Sequence, residues 1–151
     1  MGIAKPFERA LELVAGLATD EEVVIQRGAT DERPDLLEAS WFDYVEWDEF
    51  GGIMRRGDVV ISHAEVGSMV TAIRAGKKPV AVPRLARFGE HVDDHQLQLA
   101  ERFAERDLAV VCLPGDDLTE RVAKARSSRP PNISARHTEL RAAVAQAALG
   151  G

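Results

Sequence analysis

Apolar residues follow two alternating patterns along this 151-residue chain. Short continuous apolar runs are typical of strands buried on both faces of a parallel sheet. They predict strands over residues 23–25, 59–62, 79–82 and 108–113, and a segment rich in aromatic and β-branched residues predicts another strand over 41–47. Segments with apolar residues three and four positions apart have one buried helical face. They predict helices over residues 6–18, 48–57, 69–76, 97–106 and 117–125. Alternating strands and helices predict an α/β fold, a three-layer α/β/α sandwich around a mostly parallel sheet.

The length of the chain leaves room for one domain with a single core. We expect this domain to cover residues 1–126. Residues 127–134 contain two consecutive prolines and read as a linker. The alanine-rich segment 135–151 predicts a terminal helix docked on the domain.

Charge and cysteine content narrow the functional classes. A formal net charge of -6 argues against nucleic-acid binding, which needs a basic surface. Cys112 is the single cysteine, which excludes an intrachain disulfide. It lies in an apolar run, which predicts that it is a small buried hydrophobe. No signal peptide or membrane-spanning run is visible, so we expect a soluble cytoplasmic protein.

The junction between the strand at 59–62 and the following helix is a candidate anion site. The chain passes from Ser62 and His63 through Gly67 and Ser68 into the helix. Unpaired N–H groups and the dipole at a helix start favour a phosphate group. Equally, Gly67 could make a tight turn and Ser68 could cap the helix. The spacing alone does not decide between these interpretations.

The loop over residues 84–96 is dense in side chains that bind polar ligands. Asp93 and Gln96 alone could form a capping box for the next helix. A cap needs two side chains, however, and this loop supplies six, which favours a binding role. The six residues are Glu90, His91, Asp93, Asp94, His95 and Gln96.

A metal site in this loop is the less favoured interpretation. His91 and His95, with Asp94 between them and His63 nearby, have suitable ligand types. Their spacing is not that of a helical zinc-protease motif, and carboxylates outnumber histidines. We therefore predict no metal.

The chain also lacks a P-loop and a Gly-x-Ser-x-Gly nucleophile motif.

Several short runs resemble the C-terminal domain of family 28 glycosyltransferases. These runs are ISHA (61–64), GS (67–68), AGKKP (75–79), VPR (82–84) and GEHVDDHQ (89–96). Weaker similarity extends from PFER (6–9) through VIQRG (24–28) to about residue 113. More narrowly, the chain resembles the split, stand-alone form of this domain. That form occurs in the small subunit of bacterial exopolysaccharide transferases and the catalytic subunit of the dolichol-linked N-acetylglucosamine transferase; MurG-type enzymes carry it fused to an acceptor domain.

The resemblance implies the donor-binding half of a GT-B glycosyltransferase with a Rossmann-like sheet and a UDP-sugar as substrate. Ser62, His63, Gly67 and Ser68 would contact the diphosphate, and Thr71 would lie near the ribose. The sugar would be bordered by residues of the loop, with Gln96 binding its hydroxyls: Glu90, His91, Asp94, His95 and Gln96.

The same resemblance implies a division of labour between two subunits. Neither a cofactor nor a metal is required. A membrane-anchored partner would supply the acceptor site for a lipid-linked saccharide and hold this chain at the membrane. Because relatives take their general base from that acceptor domain, we assign no catalytic base to this chain. Whether protomers also pair with one another is left open.

Three departures from the family pattern leave an alternative open. The family begins with a central strand before the Pro-Phe helix, whereas here only five residues precede Pro6. We therefore expect a gap in the sheet or a neighbouring element that fills it. Glu65 stands where relatives carry glycine, and Thr71 where many carry glutamate. A carboxylate beside a diphosphate repels it unless it points away.

The alternative is a scaffold or regulatory subunit without donor binding. A metal-dependent hydrolase using His91 and His95 is a third hypothesis.

Overall fold

A computed structural model describes residues 8–17, 23–26, 39–42 and 46–128 of the chain. The predicted linker beyond residue 128 and the predicted terminal helix lie outside the described residues. Within those ranges the chain forms α1 (Glu8–Ala15), β1 (Val23–Gln26), β2 (Ala39–Phe42), α2 (Trp47–Arg56), β3 (Ile61–His63), α3 (Val66–Arg74), β4 (Val80–Val82), a short 3₁₀ helix (Ala86–Phe88), α4 (His95–Glu105), β5 (Val110–Val111) and α5 (Leu118–Ser127).

The described strands are all parallel, as the apolar runs predict. β1 pairs with β2, and β3, β4 and β5 form a second sheet in that order. No ladder joins the two sheets within the described ranges. The mostly parallel α/β fold is therefore confirmed.

Helices cover both faces of the β3–β4–β5 sheet. Alternate residues of a strand point to opposite faces, and β4 divides accordingly. Ala81 packs with α3 and α4 in a core that includes Met69, Leu99 and Phe103. Val80 and Val82 belong to a second core on the other face, with α5 residues and with partly buried side chains of α1. This arrangement makes three layers.

Cys112 is fully buried in the second of these cores. Burial raises the pKa of its thiol, because a thiolate would lose hydration. The prediction that it serves as a small buried hydrophobe is confirmed. None of the helices in the described part of the chain is long and apolar enough to cross a bilayer.

Several helix ends follow the local sequence signals. Asp117 caps α5 by accepting a hydrogen bond from the Thr119 N–H at 2.9 Å. α3 ends at Arg74 with Ala75 as its C-cap, and Gly76 follows with a φ of 81°. The N–H groups of Gly76 and Lys77 there bond to the carbonyls of Ile73 and Ala72, an arrangement that favours glycine.

The segment predicted as one strand over residues 41–47 is divided in the structure. β2 ends at Phe42, and Trp47 begins α2 instead of ending a strand. The N-cap is Glu46, two residues before the predicted Asp48. Asp48 and Glu49 then lie in the first turn of the helix, where their negative charges interact favourably with the positive end of its dipole.

Candidate functional site

The carboxyl edge of the sheet brings the two predicted halves of the site together. β3 and β4 are parallel neighbours with His63 opposite Val82, so the chain leaves both strands at the same edge. α3 begins just after β3. The side chain of Gln96, in the first turn of α4, accepts a hydrogen bond from the Arg84 N–H at 3.0 Å. This bond joins the end of the loop to its beginning, which lies at the carboxyl edge of β4.

Arg84 also connects the two halves electrostatically. Its side chain is only 5% exposed, and burial lowers the pKa of the guanidinium group. The carboxylates of Glu90 in the loop and Glu65 before α3 both oppose this shift. One buried cation thus lies within electrostatic reach of both segments.

The start of α3 offers amide groups for an anion. The first bond of the helix runs from the Met69 N–H to the Glu65 carbonyl at 3.0 Å. The N–H groups of the three preceding residues have no acceptor within the helix, since the residues one turn before them lie outside it. The Glu65 side chain makes no cap hydrogen bond to them. These amides can therefore bind an oxyanion.

The hydroxyl groups near this helix start differ in their availability. Ser62 Oγ donates to the His63 carbonyl at 2.8 Å, and Thr71 Oγ1 donates to the Gly67 carbonyl at 2.7 Å. Both hydroxyl protons are therefore used by the backbone. Ser68 is buried, and its hydroxyl has no hydrogen-bond partner among the described residues. Of the three, Ser68 is the side chain best able to donate to a ligand.

Glu65 is directed at a residue predicted to contact the diphosphate. Its Oε2 lies 2.7 Å from Nε2 of His63, and both side chains are partly exposed. This hydrogen bond lowers the pKa of the Glu65 carboxyl, while burial acts in the opposite direction. The carboxylate thus competes for a group that an anionic ligand would use.

The loop begins with three consecutive backbone N–H groups that bond to side chains of the same loop. Arg84 N–H donates to Gln96, Leu85 N–H to Glu90 Oε1 at 3.1 Å, and Ala86 N–H to Asp94 Oδ1 at 3.0 Å. Three of the predicted sugar-bordering side chains therefore hold the loop in shape as well.

These bonds leave different atoms available on each of the three side chains. Among the described residues, Gln96 uses only its oxygen, so its Nε2 group remains to donate, and Asp94 uses only Oδ1, so Oδ2 remains to accept. Both oxygens of Glu90 are used, because Arg9 of α1 bonds to each of them at 2.9 and 3.0 Å. The geometry therefore favours Gln96 and Asp94 over Glu90 as direct ligand contacts.

The two histidines of the loop lie near its exposed rim. His91 Nδ1 is 3.1 Å from Asp93 Oδ1, which also accepts a hydrogen bond from the His95 N–H at 3.0 Å. That backbone bond is the main reason why the pKa of Asp93 is lowered. The helix N-cap is Asp94, and Gln96 bonds to Arg84, so Asp93 and Gln96 do not form a capping box.

The metal interpretation gains no geometric support in the described residues. No three histidine, cysteine, aspartate or glutamate side chains converge there in a way that could hold an ion. The histidines His63 and His91 each bond to a neighbouring carboxylate instead.

Arg84 and Arg9 are the site residues to which sequence reasoning gave no role. Arg84 could have been noticed, because it directly follows a strand and a proline, at the edge where ligands bind in parallel sheets. Arg9 carries no such signal. Its partner Glu90 is 81 positions away, and one charged residue on an amphipathic helix is ordinary.

The Glu65–His63 pair predicts a specific pH dependence of stability. Because folding lowers the pKa of Glu65, its ionised form stabilises the fold above pH 4.5, the ordinary value, and this contribution is lost as pH falls through the lowered value. We expect Glu65→Gln to reduce the stability at pH 6 by less than about 1 kcal/mol, since solvent screens the pair. The difference from the wild type should shrink below pH 4.5. Thermal unfolding between pH 3 and 6 checks this, and a pH-independent difference would contradict it.

Two known proteins are similar to part of this chain. The chain is 38% identical over 76 residues to the UDP-N-acetylglucosamine transferase subunit ALG13 of Yarrowia lipolytica, a match covering 50% of this chain and 36% of that protein. It is 45% identical over 51 residues to the subunit of the same name from Candida glabrata, covering 34% and 24% of the two chains. The matches thus span about a third or less of the curated relatives' length.

A family model covers nearly the whole chain. The match to the glycosyltransferase family 28 C-terminal domain extends over residues 4–148 and includes the short runs that resemble this family. The chain therefore belongs to the glycosyltransferase family 28 C-terminal domain family.

Proposed function

We propose that this chain is the donor-binding subunit of a heteromeric GT-B glycosyltransferase. It binds a UDP-sugar and, together with a membrane-anchored partner, transfers a hexosyl group to a lipid-linked saccharide in polysaccharide or glycan synthesis, including exopolysaccharide synthesis. The partner supplies the acceptor site and holds this cytoplasmic chain at the membrane. Support comes from the family and from the similar proteins, which are named as transferase subunits.

The observation that carries the proposal is the hydrogen bond between Gln96 and the Arg84 N–H. It brings the polar loop to the edge where α3 begins. A nucleoside diphosphate sugar needs two adjacent regions, one for phosphate and one for sugar hydroxyls. The amides at the start of α3 suit the first. The free donor of Gln96 and the free oxygen of Asp94 suit the second.

Within this proposal each predicted residue receives a role. Gly67 and Ser68 bind the diphosphate through backbone amides and a hydroxyl, with His63 and Ser62 beside them. Thr71 lies next to the ribose. Asp94 and Gln96 bind the sugar, His91 and His95 border it, and Glu90 shapes the loop. The partner subunit provides the general base, and the diphosphate is held by helix amides and cations without a metal.

A scaffold or regulatory subunit without donor binding is the second candidate. The specific observation in its favour is the Glu65–His63 hydrogen bond, which directs a carboxylate at the diphosphate region. The bond that Thr71 makes within its own helix adds to it, because a hydroxyl so used binds ribose weakly.

Calorimetric titration with UDP and with UDP-N-acetylglucosamine tests the proposal. We expect saturable binding of both ligands by the isolated chain, with ADP as the control for base recognition. The titration is repeated with the co-purified partner, since closure by a second domain strengthens weak donor binding. Absence of binding in both preparations would favour the scaffold alternative.

A further inference from the structure

A single side chain of α1 reaches the loop from across the sequence. The guanidinium group of Arg9 forms a fork on the Glu90 carboxylate, with Nε 2.9 Å from Oε2 and Nη2 3.0 Å from Oε1. The two side chains are only 19% and 10% exposed. Bidentate geometry and exclusion of solvent make such a pair stronger than an exposed ion pair. We call it the Arg9–Glu90 fork.

The fork fixes the loop at three places. Arg9 Nη2 also donates to the Pro83 carbonyl at 2.8 Å, where the loop begins. Its guanidinium carbon lies 5.3 Å from the centre of the Phe88 ring, within cation–π range. Glu90 in turn accepts the hydrogen bond of the Leu85 N–H. Removing Arg9 would therefore remove contacts to Pro83, Phe88 and Glu90 together.

Attachment of α1 to the protein does not depend on this fork. The apolar side chains of Ala10, Leu13 and Val14 pack against the core formed by β4, β5 and α5. Apolar burial of this kind supplies most of the energy that holds a helix to a sheet. The distinctive consequence of the fork is thus the shape of the loop.

We propose that Arg9 and Glu90 are positioning residues for sugar recognition. The fork holds residues 83–90 so that the Arg84 N–H and the Ala86 N–H meet Gln96 and Asp94, whose remaining polar atoms then face the sugar. Neither Arg9 nor Glu90 contacts the ligand. This inference rests on the proposed function, and it predicts an effect on the sugar without an effect on the diphosphate, which binds at α3.

Substitution of Arg9 tests the inference through two ligands. We expect Arg9→Ala to weaken the binding of UDP-N-acetylglucosamine by about tenfold, because small displacements of positioning groups are costly. UDP affinity should stay within about twofold of the wild type. Arg9→Lys keeps the charge but cannot make the fork, so an intermediate loss is expected. Glu90→Gln keeps the side-chain shape and serves as the second variant if Arg9→Ala folds poorly.

Hydrogen exchange provides a readout that needs no ligand. In Arg9→Ala, the amides of Leu85 and Ala86 should exchange faster, whereas that of Val80 in β4 should keep its protection. Lys78→Ala is the matched control, since it removes another ion pair, with Nζ 2.6 Å from Asp107 Oδ1, at the opposite end of the same strand. That variant should change neither sugar binding nor exchange in the loop.

The outcomes separate this inference from the proposed function. Equal losses of UDP and UDP-N-acetylglucosamine in Arg9→Ala, or unchanged binding of both, would overturn the positioning role. Unchanged exchange at Leu85 and Ala86 would overturn it as well. A wild-type chain that binds neither ligand with or without the partner, together with faster loop exchange in Arg9→Ala, would refute the donor-binding function while leaving the structural effect of the fork intact.

Discussion

Replacing Gln96 with glutamate is expected to weaken UDP-N-acetylglucosamine binding by about 10- to 100-fold while leaving UDP binding unchanged. Gln96 is buried, and its oxygen bonds to the Arg84 N–H. Glutamate retains an oxygen for that bond but has no N–H group to donate to a sugar hydroxyl. It also places a negative charge next to the sugar's oxygen atoms. Calorimetry with both ligands measures the difference.

Gln96→Met separates the two functions of this side chain. Methionine has a similar length but neither donates nor accepts strongly, so the Arg84 N–H is left without its partner. We expect the same loss of sugar binding, together with a decrease in unfolding free energy of about 1–3 kcal/mol. Urea unfolding measures the stability change. If Gln96→Glu binds the UDP-sugar as tightly as the wild type, Gln96 does not contact the sugar.

Removing the charge of Glu65 is expected to strengthen UDP binding by at least about tenfold, or ~1.4 kcal/mol. The carboxylate bonds to His63 and lies next to the amides at the start of α3. Two unit charges 4 Å apart near a protein surface repel by about 4 kcal/mol, and the partial exposure of Glu65 reduces this value. Glu65→Gln removes the charge, and Glu65→Gly removes the whole side chain.

The control for the Glu65 variants is a substitution that changes the net charge by the same amount at a position outside the site. Glu105 is exposed at the carboxyl end of α4, and Glu105→Gln alters the net charge by the same amount. We expect this variant to bind UDP like the wild type. UDP affinity that is unaltered in both Glu65 variants would show that the carboxylate does not oppose the diphosphate.

Most of the fold follows from local patterns in the sequence. The apolar run at β4 predicts a strand buried on both faces, and in the structure it packs against a core on each side. Gly76 and Asp117 mark helix ends because their conformational and capping preferences are local properties. The extent of β2 could not be predicted, since an aromatic residue such as Trp47 is compatible with a strand and with a helix.

The site was predictable in composition but less so in its contacts. The turn after β3 and the loop after β4 could be placed at one edge, because parallel strands present their carboxyl ends together. The function of each loop side chain could not be read from spacing. Glu90 and Gln96 look equally suited to a sugar, yet one is paired with Arg9 from a distant helix and the other retains a free donor group. Pairings across 81 residues depend on the completed fold.

Mapping the bound ligand by NMR tests the central claim most directly. Labelled protein is titrated with UDP-N-acetylglucosamine while its amide signals are followed. We predict the largest shifts at the backbone amides of Gly67 and Ser68 and at the side-chain amide of Gln96, with small shifts at Lys78 and Asp107 on the opposite edge. Shifts confined to that opposite edge, or none at saturating ligand, would contradict the account.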